Sequence, residues 1–436
     1  MQDRIAQQDD PDETGQAMIE SSVLENGIRV VTEAMPHSRS IAAGILVSAG
    51  PRDEYADKAG LAHFVEHGLF HGTSSRTELE ISRIIDTMGG RVSAFTGRDY
   101  TCYSAHVMDD HVTYILDLFS DLLLNSIFPQ ERLEHEKQVI LNELASGLDN
   151  PQERALDLLK SSVWPGHALG RSIEGTAQTI AGFTREDMIY FLNSTYQPNR
   201  ITIALAGRLQ HEDIVAQVRD CFWRFFGQAE RIVKRPGPFI KGTFTEENAS
   251  MQAYFAMGVP APAYAHADRY GVHLLNTILG GGLSSRLYRT LREEHGLVYS
   301  IHSEYHAYLD AGMIVVSGST LPQGLARTLD LVADEVIGLL TLVRPADIEE
   351  VWQAQLYTVG QHHIDSEDPY TRMSRLLTQT YYFNRVIPNQ EIVDNLERLT
   401  DTSLSEICER TFAGITDSFA VALCGPLSDE RVSWNH

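Results

Sequence analysis

Two histidines and a glutamate stand together in His63-Phe64-Val65-Glu66-His67. On a helix, four residues advance about 400°, so His63 and His67 share one face, one turn apart. Imidazoles at that spacing can bind the same zinc ion. Glu66, next to His67, reaches the coordination sphere without occupying it and is placed to take a proton from a zinc-bound water. The neighbours Leu61, Phe64, Val65, Leu69 and Phe70 are apolar. Burying two histidines and a glutamate among them without a partner would cost several kcal/mol, which metal binding offsets. Catalytic zinc takes three protein ligands and leaves a fourth position open. Glu136 and Glu143 lie nearly two helical turns apart, so their carboxylates also share a face. One can bind the metal while the other orients a histidine. The plain alternative is a helix with two hydrogen-bonded histidines and a solvated acidic face, and Val139, Ile140 and Leu144 weaken it.

The elements that must position these groups follow from patterning. Residues 60–70 read as a buried helix, and 78–88 as a second helix stopped by Gly89-Gly90. Residues 23–34 and 40–49 read as strands, with a turn at Asn26-Gly27, and 91–96 pairs with 100–107. Helices are expected over about 109–126, 129–148 and 151–163, then a strand at 201–205 before Gly207. Residues 1–22 read as a loosely held arm. Residues 227–242, with Pro236-Gly237-Pro238, read as a linker.

The second half repeats the first. At an offset of 210, Gly72, Ser74, Ser75 and Arg76 fall on Gly282, Ser284, Ser285 and Arg286. At 218, half the chain length, Leu205, Gly207 and Leu209 fall on Leu423, Gly425 and Leu427, and Pro151 falls on Pro369. Ordered matches at a nearly constant offset indicate two copies of one α+β unit, residues 23–226 and 243–436. At these offsets His63 corresponds to His273, Glu66 to Asn276, His67 to Thr277 and Glu143 to Gln361, so the second copy cannot assemble the metal set. His273 reads as a relic or a packed core histidine.

Composition bounds the partners. The 436 residues carry 59 acidic and 35 basic side chains, a net charge of −24. That balance opposes binding to nucleic acid or to an anionic membrane surface and permits neutral or basic peptides. Cys102, Cys221, Cys408 and Cys424 are too few and scattered for a disulfide framework, and the polar, acidic start is unlike a secretory or transit signal, so a cytoplasmic location is expected.

These motifs resemble the inverted-motif zinc peptidases of the pitrilysin, insulin-degrading-enzyme and mitochondrial-processing-peptidase superfamily, the M16 family. Its pattern is H-x-x-E-H and then a glutamate about 76 residues on; here 143 − 67 = 76. Gly60-Leu61-Ala62 before the motif and Gly72-Thr73 after it fit the same context, and the resemblance spans residues 23–427. It implies His63, His67 and Glu143 as zinc ligands, one ion per chain, Glu66 as general base and Glu136 as support for a ligand. It also implies two homologous domains, each a mixed sheet with helices packed on it, forming half of a clamshell chamber. Only the first domain would be active.

In the second copy, Gly280-Gly281-Gly282-Leu283-Ser284-Ser285-Arg286-Leu287 is a glycine-rich turn that lacks the phosphate-loop form. The segment after it is similar to the family stretch whose arginine and tyrosine hold substrate near zinc, which implies Arg292 and Tyr299. An arginine can donate to a substrate carbonyl and a tyrosine hydroxyl can stabilise an oxyanion. The strand through Ser93 and Ala94 is expected to pair with the substrate backbone. Ser93 replaces the asparagine of many relatives, and His71 stands where many carry a basic residue. His71 reads as a helix-end histidine favoured by the dipole rather than a fourth ligand. The expectation is therefore a zinc endopeptidase acting on extended peptides, a homodimer in which the partner subunit supplies Arg292 and Tyr299. A scaffold subunit, or an active subunit that needs an unlike partner, is the alternative.

Overall fold

The computed structural model describes residues 18–229 and 234–427. In the first sheet, β1 (Ile19–Val23), β2 (Arg29–Ala34), β3 (Ser40–Val47), β4 (Arg91–Thr96), β5 (Thr101–Met108) and β6 (Ile201–Gly207) run in the order β1-β2-β6-β3-β5-β4. In the second, β7 (Gly242–Glu247), β8 (Ala253–Ala261), β9 (Val298–Ala307), β10 (Gly312–Thr320) and β11 (Ala420–Gly425) run β7-β11-β8-β10-β9. Without β1, the first sheet repeats the second strand for strand. The pairs β2–β6 and β7–β11 are parallel and their neighbours antiparallel. The central strands β3, β6 and β11 are almost wholly buried, as expected of strands covered on both faces. Strands β4 and β9 close their sheets as edges.

The helices are α1 (Leu61–Gly68), α2 (Glu78–Met88), α3 (Val112–Asn125), α4 (Gln130–Asp149), α5 (Pro151–Val163), α6 (Ala177–Ala181), α7 (Arg185–Thr195) and α8 (His211–Phe222) in the first copy. The second copy adds α9 (Arg269–Gly280), a π-helical turn over Tyr288–Glu294, α10 (Leu325–Leu340), α11 (Ile348–Asp365), α12 (Pro369–Phe383), α13 (Asn389–Glu397) and α14 (Asp401–Thr411). Residues 109–111, expected at the start of a longer helix, form a 3-10 turn before α3.

Each sheet has two apolar faces, and one face is covered by a helix from the other half of the chain. On the first sheet, Met373, Leu376 and Leu377 of α12 pack on Val31, Ala42, Leu46, Cys102, Ala204 and Ala206. Gly44 permits the approach: a Cβ there would lie 2.2 Å from Met373 Sδ. On the second sheet, Ala155, Leu159 and Val163 of α5 pack on Ala256, Met313, Val315, Ala420, Ala422 and Cys424. The two exchanged helices start alike, with proline first after a capping Asn150 or Asp368 whose side chain accepts backbone N–H bonds.

The compact units are therefore not contiguous. Among described residues, one comprises 18–142, 172–229 and 363–386, and the other 143–171, 234–362 and 387–427. The simple division into 23–226 and 243–436 differs by this exchange, which hydropathy cannot show because either sheet offers an apolar face to either helix. The expected arm also changes: Ile19–Val23 is the outer strand β1, paired with β2, and residues 1–17 lie outside the described ones. Part of the expected linker, 230–233, also lies outside them. No helix among the described residues is long and apolar enough to cross a membrane, and the four cysteines are free.

Candidate metal centre

Helix α1 starts at Gly60, whose φ of +94° suits glycine and whose missing side chain leaves the helix without its usual cap. Glu54 supplies one. Its Oε2 accepts the Gly60 N–H at 3.0 Å and its Oε1 the Ala62 N–H at 2.7 Å. A carboxylate also suits the positive end of a helix. Glycine is required a second time, because a Cβ on Gly60 would lie 2.5 Å from the Glu174 carbonyl oxygen.

Leu61, Ala62, Phe64 and Val65 bury one face of α1, with the Phe64 ring 5.2 Å from that of Phe183. This leaves His63 and His67 half-buried on the other side, ring centroids 4.5 Å apart. Glu143 is exposed on α4. Ligand atoms of His63, His67 and Glu143 all lie within 4.8 Å of one another. Two imidazole nitrogens and a carboxylate oxygen are a donor set that suits Zn2+ with a position left open. Burial, reinforced by the neighbouring His67, lowers His63 to about 4, so its ring is neutral and able to ligate at neutral pH.

Glu136, 5% exposed, sits behind the ligands. Its Oε1 is 2.7 Å from His67 Nδ1, which assigns Nδ1–H as donor and leaves Nε2 for a metal. Its Oε2 is 2.6 Å from His71 Nε2. Burial pushes Glu136 up, but the hydrogen bonds from His67 and His71 outweigh it and bring the carboxyl down to about 2. His71 lies at the end of a 3-10 turn, Leu69–His71, that continues α1, and it is not among the converging metal-binding groups. Glu66, 7% exposed, accepts a 2.6 Å hydrogen bond from Thr96 Oγ1 on β4.

Ser93 and Ala94 lie on β4, but successive strand residues point to opposite faces. Ala94 therefore shares the Thr96 face, toward α1. Ser93 faces away and bonds Ser104 Oγ at 3.1 Å. In the second unit, Arg292 Nη1 donates to the Tyr299 carbonyl at 2.5 Å, and its guanidinium lies 4.9 Å from the Tyr299 ring centroid. Tyr299 is 79% exposed on edge strand β9. Arg286 of the glycine-rich turn is taken up internally by Glu350 and the carbonyls of Arg344 and Pro345.

The second unit's counterpart site is dismantled. His273 is exposed on α9 rather than packed in a core. Asn276 is buried and bonds the Ser303 carbonyl through Nδ2 at 3.3 Å, and the Thr277 hydroxyl turns back to the His273 carbonyl. At the offset of 218, Glu136 is replaced by the buried Ala354.

Sequence reasoning missed Glu54, Thr96 and the second bond of Glu136. An acid six residues before a glycine-started helix hints at the first. The i, i+2 spacing of Ala94 and Thr96 hints at the second, but only the strand–helix register shows which residue meets Glu66.

Comparison with known proteins gives the family. Residues 29–177 match the family model described as Insulinase (Peptidase family M16), and residues 182–354 match Peptidase M16 inactive domain. The Bacillus subtilis protein named uncharacterized zinc protease YmxG is 30% identical over 410 residues, covering 94% of this chain and 98% of that one. A protein of the same description from Mycobacterium leprae is 35% identical over 418 residues, 94% of this chain and 92% of its own. The crystal structure of a peptidase M16 inactive domain from Pseudomonas fluorescens superposes with a TM-score of 0.87 at 20% identity, over 94% of this chain and 98% of that one. That of a protease from Helicobacter pylori does so with 0.85 at 20% identity, over 94% and 100%. With two curated relatives at or above 30% identity along nearly their full length, and the two family models matched over residues 29–177 and 182–354, the chain belongs to peptidase family M16.

Proposed function

We propose that this chain is a zinc-dependent endopeptidase that cleaves extended peptides. The observation that carries the reading is the convergence of His63, His67 and Glu143 on α1 and α4, with a buried carboxylate, Glu66, beside them on the same helix. A zinc ion held by those three groups supplies Lewis acidity toward a water and a scissile carbonyl. Glu66 accepts the proton of the attacking water and returns it to the leaving amine. Glu136 holds the Nδ1–H of His67 and so fixes its tautomer. The free edge of β4 offers backbone groups to a substrate strand, with Ala94 on the side of Glu66. Arg292 would bind a substrate carbonyl and Tyr299 would donate to the oxyanion, supplied by the partner subunit of a chambered dimer. The charge of −24 favours basic, unfolded segments such as leader peptides.

The test is Glu66→Gln, assayed for zinc content and for hydrolysis of a peptide library by mass spectrometry. The variant should keep zinc and lose cleavage. Full activity would remove Glu66 as the base, and wild-type protein purified without zinc would favour a scaffold subunit.

A further inference from the structure

We infer that His71 is a positioning residue for the metal centre: it fixes the Glu136 carboxylate, which in turn orients His67. The inference rests on the zinc reading above and adds to it a residue outside the ligand set.

The geometry is a chain of contacts across three helices. His67 and His71 stand one turn apart on α1 and its 3-10 extension, and each donates to a different oxygen of the same carboxylate, at 2.7 and 2.6 Å. The cavity that Glu136 lines is otherwise apolar, with Phe64, Phe128, Leu133 and Met188, except for His71 and for Arg132, whose guanidinium is paired with Glu78. A carboxylate held at one oxygen can still rotate about its terminal bond; held at both, it cannot. The second bond therefore decides whether Glu136 keeps the plane in which His67 Nδ1–H meets it, and so whether His67 Nε2 keeps its direction. On the other side of the ring, His71 Nδ1 lies 3.5 Å from Glu78 Oε2 on α2 without a hydrogen bond, and that oxygen lies 2.7 Å from Arg132 Nη2 on α4. His71 stands outside the ligand set: it is not among the groups whose ligand atoms converge, and its Nε2 is bonded to Glu136.

The experiment is zinc affinity by chelator competition on the full chain, which needs no substrate. Partners that orient a metal-bound histidine are worth about 10- to 100-fold in affinity. His71→Leu should weaken zinc binding about 10-fold, while His71→Lys, a long donor that can still reach Glu136, should stay within about threefold of wild type. In a Glu136→Leu background, the side chain has no polar atom and holds neither imidazole. There His71→Leu should cost no more than about twofold beyond Glu136→Leu alone. Equal affinity of wild type and His71→Leu would overturn the inference. So would a loss in His71→Lys as large as in leucine, or the same leucine penalty in both backgrounds, which would mark a packing role. A wild-type chain that binds no zinc would overturn the zinc reading itself and this inference with it, an outcome distinct from the other three.

Discussion

Thr96→Val tests whether the general base is held or merely present. The hydroxyl of Thr96 donates to Glu66 Oε2 at 2.6 Å, and both residues are under 9% exposed. Valine keeps the shape and suits the strand, so the change removes one donor and little else. Two effects then oppose each other. Losing a donor to the charged form raises the carboxyl pKa and makes Glu66 a stronger base. It also releases the side chain from one orientation, and ordering a glutamate costs about 1.5–2 kcal/mol, or about 10- to 30-fold in rate. Proton transfer realises only part of any gain in basicity, so orientation wins and kcat should fall about 5- to 30-fold. KM should hardly move, because Thr96 faces α1 rather than the open edge of β4. Thr96→Ser restores the hydroxyl and should recover most of the rate, and zinc content should be unchanged in both variants. The assay is steady-state cleavage of a quenched fluorescent peptide. A valine variant as fast as wild type would show that Thr96 does not orient the base, and loss of zinc would show that it holds the metal site instead.

Two further predictions concern the scaffold. Arg372 of α12 pairs with Glu33 of β2, side chains 6% and 1% exposed, whereas the equivalent pair at offsets of 218 and 213, Arg154 of α5 with Glu246 of β7, is 31% and 35% exposed. Breaking the buried pair leaves Glu33 with only the more distant Arg375, 3.9 Å away, at a cost of up to about 3–5 kcal/mol, against about 0.2–1 kcal/mol for the more exposed pair, so Arg372→Met should lower the urea midpoint more than Arg154→Met; equal losses would refute the burial argument. Asp121 accepts from Thr73, Ser75, Arg76 and Asn125; burial raises its pKa, but these bonds together hold it below the usual 3.8. A depressed folded-state value means stability present above pH about 3.8 and lost as pH falls through the folded value. Asp121→Asn should flatten that acid limb in denaturation measured from pH 6 to 2, and an unchanged limb would assign it to other carboxylates.

Much of the site was legible because it is local. His63, Glu66 and His67 share one helix and Glu136 and Glu143 another, so periodicity alone puts each set on a face. What periodicity cannot supply is the meeting of two elements. That Thr96 rather than Ser93 reaches Glu66 depends on how β4 lies against α1, and that Glu136 takes two histidines depends on the 3-10 turn that swings His71 inward. The fold divides the same way. The strands and their order follow a repeat visible at offsets of 210 and 218, but the exchange of α5 and α12 is invisible, since a leucine-bearing helix and an alanine-rich sheet face carry no label of which half they came from.

The repeat itself shows which interactions the scaffold needs and which belong to chemistry. Both copies keep an arginine on the exchanged helix and a glutamate on the strand below it, Arg372 with Glu33 and Arg154 with Glu246. Both keep proline at the start of that helix. These contacts tie a helix to its sheet whether or not a metal is present. The metal set differs at every position but one: Glu66, His67, Glu136 and Glu143 face Asn276, Thr277, Ala354 and Gln361, and His71 faces Gly281. The replacement of Glu136 by a buried alanine follows from the loss of its partners. A buried carboxylate is tolerable only while donors satisfy it, and once threonine and glycine stand where two imidazoles stood, the acid would remain as an unpaired buried charge. The site is therefore a single energetic unit, and the same coupling that would let His71 act on zinc through Glu136 accounts for its absence as a set from the other half of the chain.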